Sequence, residues 1–500
     1  MEYETIAAVD LGSNSFRLQV GRVVEDQIYP LDSVKETVRL ASGLTPEKML
    51  DEASQARGLE ALRRFGERLR GLSDGAVRAV ATNTLRVAKN AREFLAQGEA
   101  ALGFPIEVIA GREEARLIYI GAIHSLPLVP HKRLVVDIGG GSTEFIIGKK
   151  SDPMLTESLY MGCVSYTLRY FPDGQIDKKR LREAQVAAAK EIELIAHDYL
   201  QLGWKEAVGS SGTARAAADL LELNGLNPGG VTGITREGLE KLAGMLVKAG
   251  SIHHFNAPGV RPDRLPVLPG GLAILMAVFE EFGIERMNYA DGALRLGVLY
   301  DLLGRFHQHD MRDATVKHFM RRYQVEKKQA ARVRRTALAI LAQLSGPALD
   351  EQDSLFLGWA ASLHEIGISV AHNGYHKHGA YILTFADMPG FSNKDQARLA
   401  TLVLGHRGKL EKLAALPPGD PGWRLIFCLR LAVLLHRTRD DRELPDYSVR
   451  HSTEGFTLEL PGRWLESNPW TGAALNEESL AWRRLGVQFR VKAPGSTRGR

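Results

Sequence analysis

The sequence predicts two α/β domains of one design, followed by an all-α domain and a small α/β tail. Three observations predict it. Ile6–Phe16 and Leu134–Ile147 share one layout: an apolar strand ends in Asp, Gly and small residues follow, and a second strand begins. Composition shifts near Gly304, after which long charged segments alternate with apolar stripes such as Leu355-Phe356-Leu357 and Leu425–Leu435. Two short alternating runs, Phe456–Leu460 and Val487–Val491, close the chain. The expected domains are 1–125, 126–303, 304–445 and 446–500, with a polar, disordered end at Pro494–Arg500.

In the first domain, strand signals fall at 5–10, 16–24 and 76–81, with a charged helical segment at 47–70. Gly12, Ser13, Asn14 and Ser15 form a tight turn after Asp10. Successive backbone N–H groups in such a turn can hold phosphate oxygens, and glycine keeps a Cβ out of the ligand's way. Ala81-Thr82-Asn83-Thr84-Leu85-Arg86 follows a strand, so its polar tip belongs at a sheet edge. Arg86 suits phosphate by its planar fork, or a surface ion pair. Glu113 and Glu114 open a helix after Gly111. Acids there complement the helix dipole, or one carboxylate projects into a cleft as a base.

The second domain repeats the turn as Gly139, Gly140, Gly141, Ser142 and Thr143 after Asp137. Two such hairpins facing each other would clamp a polyphosphate from both sides. Asp10, Asp137 and Glu144 are hard oxygen donors suited to Mg²⁺ beside phosphate. Ser211, Gly212 and Thr213, within Gly209–Thr213, form another small-residue turn; it approaches the ligand, or Thr213 simply caps the following helix.

Composition narrows the classes. Five hundred residues with 44% hydrophobic content can build a sizeable core. The chain carries 64 Lys+Arg against 59 Asp+Glu, a net +5. Residues 305–335 hold ten Lys/Arg and three acids, which suits a long polyanion or a solvated helix face. Cys163 and Cys428 make no disulfide framework or metal set, and Cys163 reads as a small packed residue. Without an apolar run of about 18 residues or a signal pattern, a soluble cytoplasmic protein is expected.

VDLGSNSF and VDIGGGSTE resemble the two phosphate loops of the actin, Hsp70 and sugar-kinase superfamily. With ATNTLR at 81–86, GREEARLIY at 111–119, MGCVS at 161–165, GSSGT at 209–213, PGGLAIL at 269–275 and DGALRLGVLY at 291–300, the chain resembles the exopolyphosphatase and guanosine pentaphosphate phosphohydrolase family. LHEIGISVAHNGYHKHGAYIL at 363–383 extends the likeness, which runs from about residue 5 to about 445. The resemblance implies duplicated actin-like (ribonuclease H-like) ATPase domains, an HD-like helical domain and the small tail. It makes Glu114 the catalytic base, points Arg86 into the cleft and implies a divalent cation. His364-Glu365 stands where metal phosphohydrolases of the HD type carry His-Asp, and His372, His376, His378 and His406 show no metal spacing. The helical domain is therefore expected to have lost its metal and to offer a basic channel, with His378, His406, Arg407 and Lys409 as its candidates.

The resemblance places processive hydrolysis of inorganic polyphosphate first, because Asp291 and the histidine-rich 372–378 look nearer to exopolyphosphatases. The alternative is removal of the 5′-terminal phosphate of guanosine pentaphosphate to give the tetraphosphate. A kinase-like transferase lacks a readable sugar pocket, and a non-catalytic alarmone sensor would not need Glu114, Asp10 and Asp137. A homodimer is implied, with neither nucleic acid nor membrane as partner.

Overall fold

A computed structural model describes residues 4–24, 27–127, 129–306, 310–441, 443–452 and 455–493. Its contacts divide the chain after Met311 into two units.

The first unit holds two sheets. One comprises β1 (Thr5–Leu11), β2 (Phe16–Val24), β3 (Gln27–Glu36), β4 (Val77–Ala81) and β5 (Ile106–Val108) in the order β3-β2-β1-β4-β5. The other comprises β6 (Lys132–Ile138), β7 (Thr143–Lys149), β8 (Asp152–Leu159), β9 (Glu206–Ser210), β10 (Ile234–Thr235) and β11 (Arg286–Ala290) in the order β10-β11-β9-β6-β7-β8. In both, the hairpin opens the sheet antiparallel and the next strand joins the first in parallel: β1 with β2 and β4, β6 with β7 and β9. The duplication seen in the loops is thus a duplication of topology. Strands covered on both faces are buried along their length: every residue of Val77–Ala81 is buried, Arg78 included.

Helices Gly111–His124 and Leu294–Phe306 share one core with both sheets, including Ile6, Ala8 and Val80 from the first and Val135, Ile146 and Val208 from the second. They touch backbone to backbone. A Cβ on Gly297 would lie 1.7 Å from the Leu117 carbonyl oxygen, and one on Gly121 2.0 Å from that of Ala293, so only glycine permits the crossing. A buried ion network ties them to β4: Asp301 accepts from Arg78 at 2.6 Å and from Arg116 at 2.5 Å, and Glu113 accepts from Arg116 at 2.8 Å. Glu113 is therefore more than a first-turn acid answering the helix dipole.

The second unit has one core. Helices Lys327–Ser345, Glu351–Leu363, Tyr375–Phe385, Asn393–Gly405 and Gly422–Leu435 pack with a three-stranded sheet of β12 (Ser448–Ser452), β13 (Gly455–Glu459) and β14 (Gln488–Lys492). Phe427 stacks on Phe456 at 3.8 Å, with Trp482 and Phe489 around it. The expected break at 445/446 therefore runs through a single core, because the tail is too short to bury its own apolar face. The expected end segment Pro494–Arg500 lies outside the described residues. Of the basic run 305–335, Arg312 lies over Trp359 at 4.6 Å and Arg332 donates to Asp441 at 2.7 Å, both buried; neither belongs to a solvated cationic face. Among the described residues, no helix is long and apolar enough to cross a membrane.

Candidate active site

The two hairpin turns meet. An ideal Cβ on Gly140 would lie 3.0 Å from Ser13 Cβ, and one on Gly141 2.5 Å from Asn83 Oδ1, so these glycines let the turns approach. Backbone N–H groups of Ala41 and Arg39 donate to the carbonyls of Ser13 and Asn14, and those of Cys163 and Val164 to Gly139 and Gly140. A trans peptide directs its N–H opposite its C=O. Tying these carbonyls into the fold thus turns the N–H groups of Asn14, Ser15, Gly140 and Gly141 away from it.

Between the turns lies a cleft of about 280 Å³. Asp10, Glu114, Asp137 and Glu144 line it with Gly12, Ser13, Asn14, Ser15, Gly139, Gly140, Ser142, Ser211 and Gly212. Asp10 ends β1 and Asp137 ends β6. Burial pushes both carboxyls up to about 6, with Arg17 pulling Asp10 partly back and Ser211 and Ser210 doing so for Asp137. Asp10 is reached from the cleft, yet its Oδ1 is buried and has no hydrogen-bond partner in the protein; the same holds for Ser15 Oγ and Asn83 Nδ2. Orphaned polar atoms at one spot signal a ligand site. Glu114 and Glu144 are raised chiefly by burial; Asp10 and Asp137 add to the rise of Glu114, against Arg86, and Glu114 and Asp137 add to that of Glu144. Glu144 Oε1 accepts from Ser158 Oγ at 2.8 Å.

Six cations also line the cleft: Arg17, Lys35, Arg215, Arg261, Arg264 and Arg295. Burial lowers Arg17, and lowers Arg295 to about 10, each opposed by Asp10. A Cβ on Gly212 would sit 2.2 Å from Arg264 Cζ, so glycine makes room for that guanidinium. None of these cations stood out in the sequence, since arginine is common on surfaces. One signal was present: Asp10 faces Arg17 in the β1–β2 register as Asp137 faces Glu144 in β6–β7, both seven residues on. Aligning the two hairpins would have exposed the exchanged charge.

Several expected ligand groups are placed otherwise. Arg86 donates to Glu114 Oε2 at 3.1 Å and to the Ile109 carbonyl at 2.8 Å, and does not line the cleft. One nitrogen, Nη1, makes both contacts. Thr143 Oγ1 donates to the Met161 carbonyl at 2.6 Å and Thr213 Oγ1 to that of Ile138 at 3.1 Å. Both hydroxyls are spent on backbone. Gly141 packs against the first turn instead of lining the cleft. Ser211 adopts φ +70° at the entry to its helix, a strained conformation for a non-glycine residue at a lining position. In the second unit, His406, Arg407 and Lys409 line a separate cavity, whereas His378 does not, because its Cβ faces Gly367.

Among the described residues, no three His, Cys, Asp or Glu side chains form a ready-made metal set. The orphaned Asp10 Oδ1 and the buried Asp137 nevertheless fit a hard divalent cation that takes its remaining ligands from phosphate and water.

Sequence comparison fits this geometry. The profile of the Ppx/GppA phosphatase family matches residues 19–306, and that of Ppx/GppA phosphatase, domain III matches residues 311–479. A guanosine-5′-triphosphate,3′-diphosphate pyrophosphatase of Aeromonas hydrophila is 39% identical over 493 residues, 97% of this chain and 98% of that one. The protein of that name from Pseudoalteromonas translucida is 37% identical over 490 residues, with the same coverage. Among solved structures, an exopolyphosphatase from Cytophaga hutchinsonii superposes with a TM-score of 0.55 at 22% identity, over 60% of this chain and 98% of its own. An exopolyphosphatase-like protein superposes with a TM-score of 0.54 at 25% identity, over 61% and 98%. With both profiles in register and relatives matching end to end, the chain belongs to the Ppx/GppA phosphatase family, a phosphoanhydride hydrolase on a duplicated actin-like fold.

Proposed function

We propose that the cleft hydrolyses the 5′-terminal phosphoanhydride of guanosine pentaphosphate, giving the tetraphosphate and orthophosphate. The observation that carries this is the lining of the cleft, where the carboxylates Asp10, Glu114, Asp137, Glu144 and Asp291 meet six cations. Relatives matching nearly the whole chain are named for a guanosine substrate, which moves polyphosphate from first reading to second. The likeness to exopolyphosphatase structures supports the fold they share.

In this reading the six cations and the two turns hold the phosphates, and phosphoryl transfer then needs positioning and charge neutralisation. Arg86 holds Oε2 of Glu114, which leaves Oε1 to accept the proton of a water aimed at the terminal phosphorus. The new P–O bond forms as the bridging P–O bond breaks, and the electron pair leaves on the shortened nucleotide. Asp10, Asp137 and Glu144 would hold a divalent cation, Mg²⁺ in our reading, which supplies neutralisation of the phosphate charge. Of the two features behind the polyphosphate reading, His372 lines the second unit's cavity, whereas Asp291 lines the cleft, 3.5 Å from Arg215.

Orthophosphate release from guanosine pentaphosphate and from long-chain polyphosphate, with Mg²⁺, tests this against Glu114→Gln. Faster release from the nucleotide, lost in the variant, is expected. Faster release from polyphosphate would restore that substrate to first place. Release from neither would remove the hydrolase reading.

A further inference from the structure

The second unit contains a cavity of about 640 Å³, more than twice the volume of the catalytic cleft. Its walls are chemically divided. Arg407, Lys409, Arg437 and Arg484 line it, stand exposed and make no ion pair among the described residues. Other cations of the wall are already used: Arg430 donates to Glu478, and Arg439 to Glu365. Unpaired guanidinium and ammonium groups converging on a concavity suit phosphate oxygens.

The inner wall asks for something different. His406 is buried and lines the cavity, and its Nδ1 lies 2.6 Å from the Val403 carbonyl oxygen. A carbonyl only accepts, so Nδ1 carries the proton. Burial, with His364, His376 and Lys412 nearby, holds the ring neutral, which leaves Nε2 a bare acceptor, and Nε2 has no partner in the protein. His364, 5.4 Å away between ring centroids, repeats the arrangement: Nδ1 lies 2.7 Å from the Ala361 carbonyl and Nε2 has no partner. The internal units of a polyphosphate chain have no donor to offer such a nitrogen. The matching ligand has an N–H-bearing head for the floor and an anionic tail for the rim. Tyr375, buried beside His406 and already faced by Arg407 at 5.1 Å, adds an aromatic wall for a flat head.

We infer that this cavity is a second ligand site, distinct from the catalytic cleft, which takes a purine nucleotide with its base toward His406 and its phosphates on Arg407, Lys409, Arg437 and Arg484. The inference does not depend on which substrate the cleft hydrolyses.

Equilibrium dialysis of the full-length protein with GDP tests it, comparing wild type, Arg437→Glu/Arg484→Glu, and Arg17→Ala in the cleft. Both positions of the double variant are exposed, and a thermal melt checks that it folds. One binding event should weaken about 100-fold or more in the double variant, by loss of two charge-assisted contacts, and persist in Arg17→Ala. Inorganic tripolyphosphate should compete for that event at least tenfold more weakly than GDP. Unchanged binding in the double variant, or loss of all binding in Arg17→Ala, would overturn the site. Tripolyphosphate competing as well as GDP would show an anion trough and overturn the nucleotide assignment.

Discussion

Replacing Asp10 by Asn should stabilise the ligand-free protein while removing its activity. The carboxyl is raised from its ordinary 3.8 to about 6, chiefly by burial, and its Oδ1 has no partner. At 1.36 kcal/mol per pKa unit, ionised Asp10 costs the fold about 3 kcal/mol above pH 6. Access from the cleft lets water relieve part of that, so about 1–3 kcal/mol is the working range. For a raised acid the penalty is fully present above the folded pKa. It shrinks as pH falls, to about half by pH 5, and vanishes below the unfolded pKa of about 4. Amide replaces carboxylate at equal size, so Asp10→Asn should raise the melting midpoint of the roughly 310-residue first unit at pH 7.5 in chelator by about 1.5–5 °C. The gap should narrow at pH 5. Added Mg²⁺ should stabilise wild type and leave the variant nearly unmoved. A variant that melts lower at pH 7.5, or a gap that ignores pH, would refute the view of Asp10 as an uncompensated charge kept for a cation.

Glu114→Gln should lower kcat for orthophosphate release by about 10²–10⁴-fold with little change in KM, since the amide cannot take the proton. Arg86→Gln removes the partner that pulls Glu114 down; its pH–rate profile should lose activity at higher pH on the acid limb than wild type. Asp301→Ala leaves Arg78 and Arg116 buried without their shared acceptor and should cost about 3–5 kcal/mol, read by denaturant unfolding. Ser211→Gly should relieve the φ +70° strain and add up to about 1 kcal/mol of stability. It should also lower kcat/KM, because the hydroxyl that pulls down Asp137 is lost.

The features legible in the sequence were those that local chemistry dictates. Asp-x-Gly turns after apolar strands announce themselves over about ten residues, and both turns meet at the cleft with Asp10, Asp137, Glu114 and Glu144 on its wall. What stayed hidden depends on tertiary approach. Arg264 enters the site only because Gly212, 52 residues earlier, leaves room for it. Thr143 and Thr213 sit beside ligand-holding turns and have the right hydroxyls, yet each is taken by a carbonyl distant in sequence. Arg86 looked like a phosphate ligand and instead bonds a carboxylate, since Glu114, 28 residues on, folds against it. The tail's strands could be read from alternation, but not that Phe456 and Trp482 complete the core of the helices.

Duplication alone would give a cleft with two equal walls, and equal walls would hold a phosphate chain without preferring either end. The symmetry is broken seven residues after each aspartate, where one hairpin carries Arg17 and the other Glu144. Directly opposed residues in an antiparallel pair project from the same face, so Arg17 stands beside Asp10 and Glu144 beside Asp137. Arg17 pulls down both Asp10 and Asp137, whereas Glu144 meets no cation among the described residues and is pushed up by burial and by Glu114 and Asp137. In the proposed reading, the cation and the attacking water belong beside the Glu144 hairpin and the phosphates beside the Arg17 hairpin, so one change of sign at one register position distinguishes the two halves of the duplication.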